Sequence, residues 1–303
     1  MTRNAVILFA GISLCAIFFL TLFVPQNNKA TTISAGNIEH IKGKPLEMQF
    51  DTVEALQEYF SSVNYEWPLR NSETIPSALI RSVPADINQN IDSKTRKQLF
   101  IRIMLPIILA EQQRIREERK TLTLALNSNL SHPKIEKRIN KLFSEYKIST
   151  KVSFEEKRAA LLSRFDELPV TLVLAQAAIE SGWGASRFSR TGNSLFGEWT
   201  FNKDAGIVPE QRQSGKTHQV KAFYSLRDSI ASYTKNINRN NAYKELRESR
   251  KSMRENSQPL DARILAEGLH RYSQKGYDYV ASLIQILNSK DFKQIESLQL
   301  DSL

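Results

Sequence analysis

Apolar residues recur at helical spacing along most of the chain, and this pattern predicts a mainly α-helical protein. The longest predicted helix is apolar in its first part and strongly charged in its second. Because proline lacks the backbone donor that a helix interior needs, Pro106 is expected to kink or divide that helix. The predicted helices cover residues 50–60, 93–126, 132–146, 153–165, 170–180, 261–270 and 277–287, and a further helix begins at Ser225.

The helix that follows Pro169 differs from the others because it is apolar on almost every side. From Val170 to Ile179 only Thr171 and Gln176 are polar. An amphipathic helix buries one stripe, whereas a helix that is apolar all round is buried on nearly every face. We therefore expect this segment to lie inside the protein.

Between residues 195 and 224 the pattern changes from helical spacing to short extended pieces. LFGEWTF at 195–201 and HQVKAFY at 218–224 have the composition of strands, and a polar loop with glycine and proline separates them. We expect a small β-lobe that faces the end of the buried helix. The predicted fold class is α+β, mainly α.

Glu180 follows the apolar run directly, in the last turn of the buried helix. Burial disfavours the anionic form of a carboxyl group, and so does the partial negative charge at a helix C-terminus. Both effects raise the pKa, so the carboxyl keeps its proton closer to neutral pH, as a general acid must. The alternative is that Glu180 ends a core helix in a salt bridge. The aromatic residues that follow favour a carbohydrate site.

The start of the chain has the features of a membrane anchor. Arg3 precedes an uncharged apolar run from Ala5 to Val24, which is about as long as a bilayer-spanning helix. No convincing cleavage site follows, so an uncleaved transmembrane anchor over residues 1–24 is favoured over a signal peptide. Positive charge before the run predicts that the rest of the chain lies outside the cytoplasm. Residues 25–45 are polar without periodicity and predict a linker.

The formal net charge of +10 predicts an attraction to polyanions. Nucleic acid would require a cytoplasmic location, which the anchor opposes, so anionic lipid headgroups and an anionic cell wall are the relevant partners. For any individual lysine or arginine, the simpler interpretation is that its charge solvates a helix.

No set of residues predicts a metal or nucleotide site, and we expect no cofactor. Gly215-Lys216-Thr217 resembles the end of a phosphate-binding loop, but Glu210 stands where that loop needs a glycine. The only cysteine is Cys15, so no internal disulfide can form. The histidines are isolated from one another in the sequence: His40, His132, His218 and His270.

Three sequence blocks occur in a fixed order: LAQAAIESGWGASRF at 174–188, NSLFGEW at 193–199 and RYSQKGYDYV at 271–280. Together they resemble the glucosaminidase domain of glycoside hydrolase family 73 and, within that family, the bacterial Bax-like proteins. The resemblance covers roughly residues 151–290. It implies a lysozyme-like fold and hydrolysis of the β-1,4 bond after N-acetylglucosamine in peptidoglycan.

The resemblance and the residue pattern together predict a domain organisation and a location. We expect residues 151–290 to be the glucosaminidase domain, residues 46–150 a helical accessory region that packs on it, and residues 291–303 a C-terminal tail. The N-terminal anchor predicts a single pass through the bacterial inner membrane with the catalytic domain in the periplasm, and the resemblance implies peptidoglycan glycan strands as the partner.

Glycosidases usually need a second carboxylate besides the acid. Where related β-lobes carry a glutamate, this sequence offers Glu210, with Glu198 and Asp204 as neighbouring candidates, and any of them can simply be a solvated loop charge. Alternatively, the acetamide of the substrate can act as the nucleophile. The resemblance then points to Tyr272 as the residue that orients the acetamide, although Tyr272 can also be a core aromatic.

Several further residues are candidates for substrate binding. The aromatic side chains can stack on sugar rings or pack the walls of the cleft. Asn193 can hold an acetamide through its amide group or cap a turn. The candidates are Trp183, Asn193, Phe196, Trp199 and Tyr277.

Two other functions remain open on the sequence. A lytic transglycosylase can use one glutamate as acid and then as base, and would leave an anhydro-muramic end. A catalytically inactive protein can bind or organise the cell wall through the same cleft. The endo-β-N-acetylglucosaminidase with Glu180 as general acid is the function that we favour.

Overall fold

The computed structural model of the chain describes residues 47–69, 74–127, 133–210 and 217–301. The expected anchor over residues 1–24 and the linker over residues 25–45 lie outside these ranges. Within the described ranges, no helix is long and apolar enough to cross a membrane.

The described residues form a mainly helical protein with few strands, as the hydrophobic pattern predicted. The helices are α1 (Val53–Ser62), α2 (Ser93–Asn127), α3 (Pro133–Glu145), α4 (Phe154–Arg164), α5 (Val170–Ser181), α6 (Arg187–Gly192), α7 (Leu226–Arg239), α8 (Lys244–Glu255), α9 (Ala262–Glu267), α10 (Tyr277–Leu287) and α11 (Lys290–Ile295). The strands are β1 (Thr74–Ile75), β2 (Trp199–Thr200), β3 (Gly206–Ile207), β4 (Gln219–Lys221) and β5 (Gln299–Leu300).

The long helix α2 has nearly the predicted bounds. It continues through Pro106 as one helix, so of the two expected outcomes, a kink or a division, the division does not occur. Pro106 is buried within the apolar half of α2, where packing on both sides holds the helix together. The cap of α4 also matches the prediction, because Ser153 and Glu156 form a reciprocal capping box.

Helix α5 lies at the centre of the main hydrophobic cluster. It contacts α2, α9, α10 and α11, and all but a few of its residues are buried. The same cluster includes residues of α1 and α7. A second cluster joins the charged half of α2 to α3 and α4 through residues such as Ile115, Leu142 and Phe165. The two clusters give the chain a large core around α5 and a smaller one beside it.

Buried charges fix the start of α5. Asp166 and Glu167 immediately precede it, and both are buried. Arg254 donates to Asp166 at 3.0 Å and to Glu167 at 2.8 Å, while Arg250, itself buried, donates to the backbone carbonyl of Glu167 at 3.0 Å. Because every one of these buried charges has partners, the network holds the entry to α5 in one position.

The strands form two small sheets. Strands β2, β4 and β3 make a three-stranded antiparallel sheet in which Trp199 pairs with Val220 and Ile207 pairs with the same valine from the other side. This sheet is the β-lobe expected between residues 195 and 224. Strands β1 and β5 form a parallel pair that joins the end of the described chain to residues 74–75.

Candidate active site

Glu180 is half-buried in the last turn of α5, which ends at Gly182 in the left-handed conformation. A residue with a side chain is strained at this φ of 60°, so glycine is favoured here. Burial raises the pKa of the Glu180 carboxyl, and this effect outweighs a hydrogen bond with Tyr279 and the positive charge of Lys275, which both lower it. The direction of the shift is the one that a general acid needs.

A buried amide links Glu180 to two tyrosines. Gln176 lies one turn before Glu180 on α5 and is fully buried. Its side-chain nitrogen donates to the hydroxyl of Tyr279 at 2.9 Å, and its oxygen accepts a hydrogen bond from the hydroxyl of Tyr233. Since the oxygen of Tyr279 already accepts from Gln176, the proton of Tyr279 is directed toward Glu180. Gln176 therefore orients the hydroxyl that contacts Glu180.

Tyr233, Tyr243, Tyr272 and Tyr279 surround Glu180. Burial raises the pKa of each hydroxyl, and the negative charge of Glu180 raises it further. Tyr272 lies at the centre of the group: its ring stacks on Tyr279 at 5.4 Å and contacts Tyr243 at 6.0 Å. These hydroxyls keep their protons at neutral pH and can act only as hydrogen-bond donors or acceptors.

Tyr272 lies beside Glu180, where the sequence predicted a functional tyrosine. Its hydroxyl donates to the backbone carbonyl of Phe196 at 3.4 Å. A bond of this length is weak, so the hydroxyl can exchange this partner for a substrate group. The role of Tyr272 in orienting an acetamide stays a prediction.

Glu198 is a second half-buried carboxyl, at the start of the β-lobe. Burial raises its pKa, against the opposing effects of a hydrogen bond from Ser232 and the positive charge of Lys221. Ser232 donates to one oxygen of Glu198 at 2.9 Å. Among the described residues the other oxygen, Oε1, is buried without a hydrogen-bond partner. An unpartnered buried carboxylate oxygen is costly, so a hydrogen-bond donor that reached it would stabilise the site.

Tyr243 connects the surroundings of the two glutamates. After burial, the negative charges of Glu180 and Glu198 are the two influences that raise its pKa. Coulomb interactions fall with distance, so Tyr243 lies near both carboxyls. A contact points the same way: Tyr272, which stacks on Tyr279, donates to the backbone carbonyl of Phe196, two residues before Glu198.

Glu210 and Asp204, the other two candidates for the second carboxylate, are exposed, unlike Glu198. The side chain of Glu210 is 78% exposed and pairs with Arg187 of α6 at 3.1 Å. Asp204 is exposed in a turn, where its backbone nitrogen donates to the side-chain oxygen of Asn202 at 3.1 Å. The catalytic role of Glu210 stays a prediction, and burial favours Glu198 over it.

The predicted aromatic residues fall into two groups. Trp183 packs edge-on against Phe100 at 5.9 Å, and Phe196 is buried and stacks on Tyr233 at 3.9 Å. These two side chains support the walls of the site. Trp199 and Tyr277 are each 67% exposed, and they stack on His218 and His270, respectively. Only the exposed pair presents a ring to solvent.

Asn193 is the C-cap of α6 and has a left-handed backbone, with φ of 52°. Its side-chain nitrogen donates to the carbonyls of Phe223 and Tyr224 at 3.2 and 3.1 Å. These bonds tie α6 to the end of the β-lobe. They use both donors of the amide, as turn capping requires, while the amide oxygen is buried without a hydrogen-bond partner among the described residues. Acetamide binding by Asn193 stays a prediction.

Gln176, Tyr243 and Tyr279 are site residues that the sequence analysis did not single out. A signal existed for Gln176, because it is polar within an apolar helix and lies one turn before Glu180. Tyr279 belongs to the third sequence block, but nothing marked it above its neighbours. For Tyr243 we find no signal in the sequence. Within the described residues, no group of three or more histidine, cysteine, aspartate or glutamate side chains has a metal-binding arrangement.

Comparison with known proteins shows what the chain is similar to. The sequence profile described as mannosyl-glycoprotein endo-beta-N-acetylglucosaminidase matches residues 156–292. The chain is similar to Protein bax of Escherichia coli (strain K12), with 31% identity over 208 residues, which cover 67% of this chain and 72% of that protein. No solved structure gives a significant match. The matched range contains both glutamates and all four tyrosines of the site.

Proposed function

This chain belongs to the Bax-like proteins that carry a glucosaminidase domain, and from that premise we propose that it is a peptidoglycan hydrolase. The proposed reaction is that of an endo-β-N-acetylglucosaminidase, which cleaves the β-1,4 bond after N-acetylglucosamine. The observation that carries the proposal is the half-buried Glu180, whose pKa is raised by burial within a group of tyrosine hydroxyls.

In the proposed reaction Glu180 protonates the glycosidic oxygen as the bond to the anomeric carbon breaks. Tyr279 donates a hydrogen bond to the carboxylate that remains, and Gln176 keeps that hydroxyl oriented. The carboxylate is then ready to take a proton from the incoming water. Tyr233 holds Gln176 in place from the opposite side.

For the second group we propose Glu198. It is half-buried, it has a free carboxylate oxygen, and it shares Tyr243 with Glu180. A carboxylate in this position can activate water or stabilise positive charge at the anomeric carbon. Glu210, on the exposed loop, and Tyr272, acting on the acetamide of the substrate, are the alternatives.

Substrate binding is proposed to use the exposed rings. Trp199 on the β-lobe and Tyr277 at the start of α10 are large aromatic surfaces available for stacking on sugars. Peptidoglycan lies outside the cytoplasm, and we therefore propose a periplasmic catalytic domain tethered to the inner membrane by residues 1–24. Such a protein needs no cofactor.

Product analysis tests the proposal. Full-length protein is incubated with purified sacculi, and the released fragments are analysed by mass spectrometry. Reducing N-acetylglucosamine ends are expected, and the Glu180→Gln variant is expected to release none above background. Anhydro-muramic ends would show a lytic transglycosylase instead. Binding to sacculi without release of any fragment would show a non-catalytic wall-binding protein.

A further inference from the structure

A cation-rich cavity opens beside Glu198 and has no role in the reaction proposed above. Its volume is about 720 Å³. Lys147 and Arg164, which neighbour residues of the second hydrophobic cluster in the sequence, contribute one wall, and the β-lobe contributes Glu198 and Lys221. The remaining lining comes from the second half of α7 and the turn after it: Ser232, Lys235, Asn236, Arg239, Asn240 and Asn241.

The charges of this cavity are poorly balanced. Five of its ten lining residues are cationic, whereas Glu198 is its single carboxylate. Lys235 pairs with Glu145 at 3.3 Å, outside the lining. Across the described part of the chain, Lys147 and Arg239 have no carboxylate within the 4.0 Å limit of an ion pair. Arg164 donates to backbone carbonyls, which carry no net charge.

Arg247, a buried arginine beside the cavity, is also repelled by a neighbouring cation. Arg247 donates to the carbonyls of Ile237 and Asn240 at 2.8 and 2.7 Å, at the end of α7 that borders the cavity. Its pKa is lowered to about 10, first by burial and then by repulsion from Arg164. Cations that repel one another around a cavity are stabilised when an anion binds there.

The cavity adjoins the site of the proposed reaction. Glu198 lines the cavity, and Phe196, two residues before it, accepts a hydrogen bond from Tyr272, whose ring stacks on Tyr279 beside Glu180. A sugar bound over Glu180 is therefore within reach of a substituent that occupies the cavity. In peptidoglycan the muramic acid next to the scissile bond carries such a substituent, a short peptide with free carboxylates.

We propose that this cavity binds the peptide stem of the muramic acid residue beside the scissile bond, through the carboxylates of the stem. This inference rests on the proposed function and names the part of the substrate that the enzyme selects. Lys147, Arg239 and Lys235 meet the carboxylates, and the amides of Asn236, Asn240 and Asn241 meet the peptide groups. The volume lies within the usual range for a ligand of a few residues.

Calorimetry with a soluble muropeptide tests binding separately from cleavage. Full-length Glu180→Gln protein is titrated with the disaccharide tetrapeptide, with the same muropeptide after amidation of its stem carboxylates, and with inorganic phosphate. The free-carboxylate form is expected to bind most tightly. Adding Lys147→Gln and Arg239→Gln is expected to weaken its binding by about tenfold for each cation removed. Equal binding of the amidated form, or tighter binding of phosphate, would overturn the proposal.

A matched variant controls for net charge. Lys251 on α8 and Lys290 on α11 are exposed and lie outside the cavity. Changing both to glutamine removes the same charge and is expected to leave muropeptide binding unchanged. Thermal unfolding of both double variants shows whether they remain folded, and an equal loss of binding in the control would refute a specific site.

Kinetics on two substrates complete the test in the protein that retains Glu180. Sacculi with intact stems are compared with glycan strands from which an amidase has removed the stems. The cavity variants are expected to lose activity on intact sacculi alone, whereas equal losses on both substrates would overturn the stem assignment. If wild-type protein cleaves neither substrate, the proposed function fails, and the calorimetry still decides the ligand of the cavity.

Discussion

Glu180 and Glu198 are matched in their immediate surroundings and differ in what lies beyond. Both carboxyls are half-buried, burial raises the pKa of both, and each has one hydroxyl donor and one lysine that oppose the shift. The hydroxyl and lysine are Tyr279 and Lys275 for Glu180, and they are Ser232 and Lys221 for Glu198. The groups nearest to the two carboxyls are therefore of the same kinds.

The next layer of residues separates them. Glu180 is enclosed by tyrosines that carry no charge, so its proton is retained in a dry, aromatic setting. Glu198 borders a cavity that is lined by cations and open to solvent. A raised pKa alone therefore does not assign a role. The uncharged tyrosines around Glu180 suit it to proton donation, whereas the cations beside Glu198 suit the cavity to an anionic part of a substrate.

Glu180→Gln is expected to have the largest effect of any single change. The amide keeps the size of the side chain but has no proton to give, and general acid catalysis contributes about 10²–10⁴-fold to a rate. We expect kcat for fragment release from sacculi to fall by about 10³-fold. Near-normal kcat in a folded variant would show that Glu180 is not the general acid. The proposed difference in role between the two glutamates would then be wrong.

Glu198→Gln is expected to have the next largest effect, with a fall in kcat of about 10²-fold if Glu198 is the second carboxylate. The matched variant is Glu210→Gln, which removes an exposed charge paired with Arg187. It is expected to change kcat by less than about threefold, because an exposed ion pair contributes little. The opposite ranking of these two variants would identify Glu210 as the second carboxylate.

Tyr279→Phe tests the hydrogen bond to the acid while it keeps the stacked ring. The hydroxyl lowers the pKa of Glu180, so its removal raises that pKa further. Because a general acid is active only when protonated, the alkaline limb of the pH–rate profile is expected to move to higher pH. The rate at the optimum is expected to fall by about tenfold or less.

Tyr146→Phe is the control for this shift. Tyr146 is also a buried tyrosine, but it belongs to the second hydrophobic cluster, away from Glu180. Its removal is expected to leave both limbs of the profile unchanged. An alkaline limb that stays in place in Tyr279→Phe as well would mean that the limb does not report Glu180.

The smallest effect concerns stability. A carboxyl whose pKa is raised by folding binds its proton more tightly in the folded state, so the protein loses stability as pH rises from below the unfolded pKa through the folded pKa. Glu180→Gln removes this penalty, and we expect a gain in Tm of roughly 2 °C at pH 8 and none at pH 4. Glu198→Gln is expected to gain less, because its carboxylate also offsets the cations of the cavity. Thermal unfolding at the two pH values measures both gains.

Much of the fold was predictable because the signals for a helix come from residues that are close together in the sequence. The capping box of α4, the apolar faces of α1 and α10, and the burial of α5 all follow from residues within a few positions of one another. The short helices α6 and α11 and the charged helix α8 were missed, since the first two are brief and the third buries few apolar side chains. The sequence left open whether α2 continues through Pro106, because tertiary packing decides it.

The sequence by itself determined the position of Glu180 at the end of a buried helix. An apolar run with a carboxylate in its last turn requires Glu180 to sit at the end of a buried helix, and the three sequence blocks identified the family. Only the tertiary structure decided which side chains surround Glu180. The hydroxyl of Tyr279 lies 103 residues from Gln176 in the chain and that of Tyr233 lies 57 residues away. Contacts at such separations depend on how helices pack, and no local pattern encodes that packing.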